Sequence, residues 1–134
     1  MRDPSVRQVG TDDAGFRITY TRGENTLHVE GWGYWNSEMG AALRRETTAA
    51  YRELSAPLNA VLELDRLKTQ GAEGQEALRG LLRSLVATGA VSGKIHADNV
   101  LTRMQLTRLV RESAVEASFV FAGQEPGLRR AGNG

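Results

Sequence analysis

The stretch from Asn59 to Thr88 constrains the fold more than any other part of this chain. It opens with the apolar run Val61-Leu62-Glu63-Leu64, which ends at Asp65. After a loop comes a segment with apolar residues at Ala77, Leu78, Leu81, Leu82, Leu85 and Val86. Residues three and four apart share one side of a helix, so these six line a single face. A strand feeding a helix of this length is half of a βαβ unit. Its partner strand is expected at Val91 to His96, after a glycine C-cap at Thr88-Gly89. Gly93 interrupts that strand and weakens it.

Upstream, Phe16-Arg17-Ile18-Thr19-Tyr20 and Leu27-His28-Val29-Glu30-Gly31-Trp32 alternate apolar and polar residues around the turn Gly23-Glu24-Asn25. They predict a hairpin, with Leu27 and Val29 on one face and His28, Glu30 and Trp32 on the other. Asn36 or Ser37 caps a helix that carries Met39, Leu43, Ala50 and Leu54 on its apolar stripe and stops before Pro57. Downstream, Asp98 or Asn99 caps a third helix. Val100, Leu101, Met104, Leu109 and Val110 are expected on its apolar side, with Arg103, Arg108, Arg111 and Glu112 on its polar side. The run 117–121, ending in Phe119-Val120-Phe121, reads as a last strand.

The predicted order is therefore β-β-α-β-α-β-α-β, an α/β fold with one mixed, mostly parallel sheet and helices packed on it. Residues 1–14 read as a loose lead-in, 15–122 as the domain, and 123–134, rich in glycine and charge, as a flexible tail. At 134 residues the chain is long enough to bury a core without disulfides or metal. The absence of cysteine excludes a disulfide scaffold, a thiol nucleophile and a cysteine zinc site. The polar start MRDPSVRQVG lacks an apolar signal segment, and no apolar run reaches the roughly 18 residues that span a bilayer. A soluble, cytoplasmic protein is expected, with no membrane contact. With 17 basic and 16 acidic residues the net charge is +1, which argues against a general nucleic-acid binder. Lys68 and Lys94 are the only lysines. The arginine excess reads either as a phosphate-binding bias or, more simply, as a compositional preference shared with alanine and glycine.

In order and pattern the chain resembles the STAS domain, the fold of bacterial anti-sigma-factor antagonists of the SpoIIAA type. The likeness lies in Ala60-Val61-Leu62-Glu63-Leu64-Asp65 for the central strand and in Ile95-His96-Ala97-Asp98-Asn99-Val100 leading to the third helix. It continues through Leu106-Thr107-Arg108-Leu109-Val110-Arg111-Glu112-Ser113 to Phe119-Val120-Phe121, over residues 15 to 122 in all. The resemblance implies a non-enzymatic bacterial regulatory or signalling module that binds a protein partner, such as a kinase. Family members carry a phosphorylated serine or threonine in an Asp-Ser type motif at the start of the helix after the central strand. Here the loop from Arg66 to Gly74 offers only Thr69, which follows no aspartate, so Thr69 is a candidate phosphosite without its motif.

The partner-binding set expected from this likeness is Asp65, Leu67, Lys68, Thr69, Arg79 and Arg83, with an exposed apolar patch near Leu67. An alternative reading is a small-ligand sensor. In open α/β sheets ligands bind beyond the carboxyl ends of the strands, where Trp32, Tyr34, Trp35, His96 and Asp98 are expected to form a pocket. The same aromatics could equally fill the junction between sheet and first helix. No cofactor, metal site or catalytic group is expected: His28 and His96 share no ligand spacing, and Gly71 and Gly74 lack the Gly-Lys-Ser/Thr of a phosphate loop. A homodimer through a sheet edge or helix face is compatible with either reading.

Overall fold

The computed structural model describes residues 3–89 and 91–123. Strands β1 (Ser5–Gly10), β2 (Gly15–Tyr20) and β3 (Thr26–Gly33) precede helix α1 (Ser37–Tyr51). Then follow β4 (Leu58–Leu67), α2 (Ala72–Val86), β5 (Val91–His96), α3 (Val100–Glu112) and β6 (Phe119–Phe121). The six strands lie side by side in chain order, β1 to β6. The β1–β2 and β2–β3 pairs are antiparallel, and β3–β4, β4–β5 and β5–β6 are parallel. The mixed α/β fold is therefore as its periodicity indicates, with one strand more than expected.

Strand order that never reverses has a consequence. Every crossover steps in the same direction, and right-handed crossovers then lay all three helices on one face of the sheet. The burial alternation along the strands agrees. Ile18, Val29, Leu62, Ile95 and Phe121 stand in one register row under the helices, none of them more than 8% exposed. The next row along, Gln8, Arg17, Glu30, Glu63 and His96, crosses the same strands on the face without helices. In the helix layer, Gly40 of α1 lies against Ala77 of α2, where a Cβ would come within 2.9 Å of the alanine methyl. Gly93, read from sequence as a weak point of β5, is where Phe119 lies flat on the neighbouring strand: any Cβ there would strike the phenyl ring.

Two expectations are corrected. Residues 5–10 are not lead-in but an edge strand, paired with β2 along its whole length. Its signal is weak in sequence because only one side of an edge strand on one layer is partly covered, so Val9 packs on the core while Val6 is 57% exposed. In α3 the buried side is Thr102, Leu106, Leu109 and Val110. Val100, Leu101 and Met104, expected in the core, are 69%, 65% and 63% exposed. The expected tail lies outside the described residues from position 124 onward.

Candidate functional site

The parallel strands β3, β4 and β5 end together, and the chain leaves this end of the sheet through Tyr34–Asn36, Lys68–Gly71 and Ala97–Asn99. Asn36 caps α1 by accepting from the Met39 N–H at 2.8 Å, and Asn99 caps α3 by accepting from the Thr102 N–H at 3.0 Å. At α2 the cap position is Gly71, which has no side chain to offer, so the hydroxyl a phospho-switch would need at this point is missing.

Gln70 holds this end together instead, and sequence reasoning passed it over. Its side chain is 4% exposed. The amide oxygen accepts from the Trp35 N–H at 2.8 Å, and the amide nitrogen donates to the carbonyls of Gly33 at 2.9 Å and Lys68 at 2.6 Å. Its backbone is read by α3 much as a neighbouring strand would read it. The Gln70 N–H donates to Gln105 Oε1 at 2.7 Å, and Gln105 Nε2 donates back to the Gln70 carbonyl at 2.8 Å. Gln75 Nε2 donates to the same carbonyl at 3.1 Å, and Arg108 donates to Gln75 Oε1 at 2.8 Å. Gly74 makes this fold-back possible, since a Cβ there would collide with the Gln70 amide. The one signal available in sequence was the glutamine itself, a polar residue placed between an apolar strand and a glycine-opened helix.

The partner-binding set falls into three groups. Asp65, Lys68, Thr69 and Arg83 are exposed. Lys68 Nζ stands 5.2 Å from the centre of the Tyr34 ring, a cation–π contact on a side chain that is 62% exposed. Thr69 shares a 3.2 Å hydroxyl contact with Thr102, whose own hydroxyl donates to the Leu67 carbonyl at 3.3 Å. Arg79 is held between helices, donating to Glu76 at 3.1 Å and to Glu112 of α3 at 3.1 Å, and the Glu112 contact is the first cause of its raised pKa. Leu67 is a correction: at 2% exposure it belongs to the core and presents no patch. The exposed apolar surface lies one helix over. Leu101 and Met104 flank the Thr102 that Thr69 touches, Val100 precedes them, and Gln105 grips the loop beside them.

The expected ligand pocket is not assembled. Trp35 lies under the helices against Gly31 and donates its indole N–H to the Gly15 carbonyl at 3.0 Å. Trp32 lies on the opposite face, its N–H on the Thr11 carbonyl at 2.7 Å, with Arg17 and Arg66 at 5.7 and 5.5 Å from its ring. Both tryptophans are buried and satisfied, so they fill the sheet's two surfaces instead of lining one cleft. His96 stands on the helix-free face next to Glu63, and Asp98 is exposed in the turn before α3. On that face His28 Nε2 lies 3.2 Å from Glu63 Oε1 but out of line for a hydrogen bond. Among the described residues no group of three or more histidine, aspartate or glutamate side chains is arranged to hold a metal ion, and no helix is long and apolar enough to cross a membrane.

A single sheet covered on one face by three helices, with a loop and helix start gathered at the carboxyl ends of its strands, defines a STAS-like α/β fold. No family model matches the sequence, and no curated protein matches it either. Among solved structures, the chain is similar to murine Solute Carrier 26 family member A9, an anion transporter seen in its inward-facing state, with a TM-score of 0.54 and 13% identity. The likeness covers 88% of this chain and 20% of the transporter, so this chain spans about a fifth of the transporter's length. At that identity what is shared is the fold.

Proposed function

We infer that this chain is a non-enzymatic regulatory module, cytoplasmic and bacterial, that works by binding a protein partner such as a signalling kinase. One observation carries the reading: Val100, Leu101 and Met104 form an exposed apolar step on α3 directly beside the locked loop Lys68–Gly71. Large exposed side chains on consecutive and i+4 positions of one helix are unusual on a surface with nothing to cover them. At the same end of the sheet Tyr34 adds an exposed aromatic ring, a residue type enriched at binding surfaces, with Lys68 against it. The STAS-like fold supports a regulatory or transporter-associated role and adds nothing about which partner is bound. A phosphate on Thr69 would replace its contact with Thr102 by a dianion at the rim of the step, which would couple modification to binding.

A double substitution, Leu101→Glu with Met104→Glu, tests the reading in a capture experiment from the native cytoplasm beside the unmodified protein. Both positions are exposed, so the variant should keep its melting temperature while it loses a partner that the unmodified protein retains through stringent washing. Equal recovery of that partner by both proteins would remove this face from consideration.

A further inference from the structure

The two edges of the sheet are finished differently. At one edge β6 offers only three residues. At the other, β1 offers six, and its register with β2 runs unbroken from Ser5 opposite Tyr20 to Gly10 opposite Gly15. A regular edge strand leaves a row of backbone N–H and C=O groups without partners, and proteins usually blunt such an edge with lysine, proline, a bulge or an inward charge. Within Ser5–Gly10 there is no lysine or proline, and the pairing shows no bulge. Its one charged side chain, Arg7, is already neutralised. The guanidinium donates to Glu46 of α1 at 2.9 Å and to the Tyr20 hydroxyl at 3.1 Å, so it brings no bare charge to a neighbour.

We propose that β1 pairs antiparallel with β1 of a second copy of this chain about a two-fold axis, joining two six-stranded sheets into one. The occupant follows from the edges: a strand that docks here needs a free edge of similar length, and among the described residues the other edge, β6, is too short, so β1 is its own match. A two-fold also sets helix-covered face beside helix-covered face, which requires paired positions of like parity. Four centres that pair at least three residues of each strand meet that condition. Centred on Arg7, the two Arg7 side chains stand directly opposite and crowd the space each needs to reach its own Glu46 and Tyr20. Centred on Val6 only Ser5 to Arg7 of each strand pair, and centred on Val9 only Gln8 to Gly10. Centred on Gln8, residues 6 to 10 all pair, Arg7 lies beside the second copy's Val9 with its methylene stem available for packing, and exposed Val6 lies beside the second copy's Gly10. The Gln8-centred register is the one the strand supports. It owes nothing to the α3 surface.

Sedimentation of the protein over a range of concentrations tests this. The unmodified chain should dimerise. Gln8→Lys should weaken the dimer several-fold by setting two ammonium groups against one another beside Arg17, and Gln8→Glu should weaken it less. An equimolar mixture of the two should form the dimer again. Since the chain has no cysteine, Gln8→Cys should cross-link to itself under mild oxidation. Val6→Cys should not, because the Gln8 register staggers the two Val6 positions by about 13 Å along the strands. The Leu101→Glu/Met104→Glu variant should dimerise as the unmodified protein does. A monomer at every concentration, an unchanged Gln8→Lys dimer, no recovery in the mixture, preferential cross-linking at position 6, or loss of the dimer in the α3 variant would each overturn the proposal.

Discussion

The two faces of the sheet are made by the same strands, residue by residue in alternation, yet they follow opposite rules. Under the helices, Ile18, Leu27, Val29, Leu62 and Ile95 are 0 or 1% exposed and touch other apolar side chains. On the helix-free face the row from Gln8 to His96 is charged or polar, and Arg17 at its middle donates to Gln8 at 2.8 Å and to Glu30 at 2.8 Å. The first face takes its stability from area removed from water, and the second from exposed pairs that contribute little each. The difference teaches where a mutation is felt, and also where function has room to vary.

Adjacent positions on β4 give the sharpest test. Leu62→Ala should lower stability by about 2–5 kcal/mol, whereas Val61→Ala, one residue earlier on the open face, should lower it by less than about 1 kcal/mol. Equal losses in chemical denaturation would break the contrast between the faces.

A smaller effect is expected at the end of the helix-covered side, where a polar side chain is buried. Gln70→Ala should lower stability by about 1–3 kcal/mol, because the Trp35 N–H and the Gly33 carbonyl lose their partner in a dry place. The same denaturation measurement decides it, and a loss within error would mean that water takes over the role of the amide.

The smallest effect belongs to the pair that ties β1 to α1. Hydrogen bonding from Arg7, first, holds the Glu46 carboxyl below its usual 4.5, with Arg45 assisting and burial opposing. A carboxylate with a lowered folded pKa stabilises above its unfolded value and loses that contribution as pH falls through the folded one. Glu46→Gln should therefore be less stable than the unmodified chain at neutral pH. The gap should hold down to about 4.5 and close in more acidic solution, measured as melting temperature against pH. A gap that widens on acidification would show that Glu46 is not the titrating partner.

Much of this architecture is legible in the chain itself. The six apolar positions of α2 and the alternation in β2 and β3 report burial directly, since a helix or strand on a single layer has one dry side and one wet side. Tertiary context overrode the pattern at α3. There Thr102 is buried at 1% while Leu101 and Met104 are exposed, an inversion of what hydrophobicity predicts. Leu106, Leu109 and Val110 turn the helix toward the core, Thr102 shares their side one turn before Leu106, and there its hydroxyl reaches the Leu67 carbonyl while Gln105 grips the Gln70 backbone. The aromatic cluster behaved similarly. Trp32 and Trp35 are three residues apart, but the strand ends between them, and they leave the backbone on opposite sides of the sheet.

What the sequence by itself determined is the succession of strands and helices from β2 onward and, α3 apart, the face each turns inward, because periodicity is local and survives without knowledge of neighbours. What only the tertiary structure decided is which residues meet. Leu67 moved from binding surface to core, the two tryptophans were parted, Gln70 became the keystone of the loop, and three apolar residues of α3 were left facing solvent. Each of those outcomes depends on a contact between residues some 20 or more positions apart, and no local pattern records such a contact.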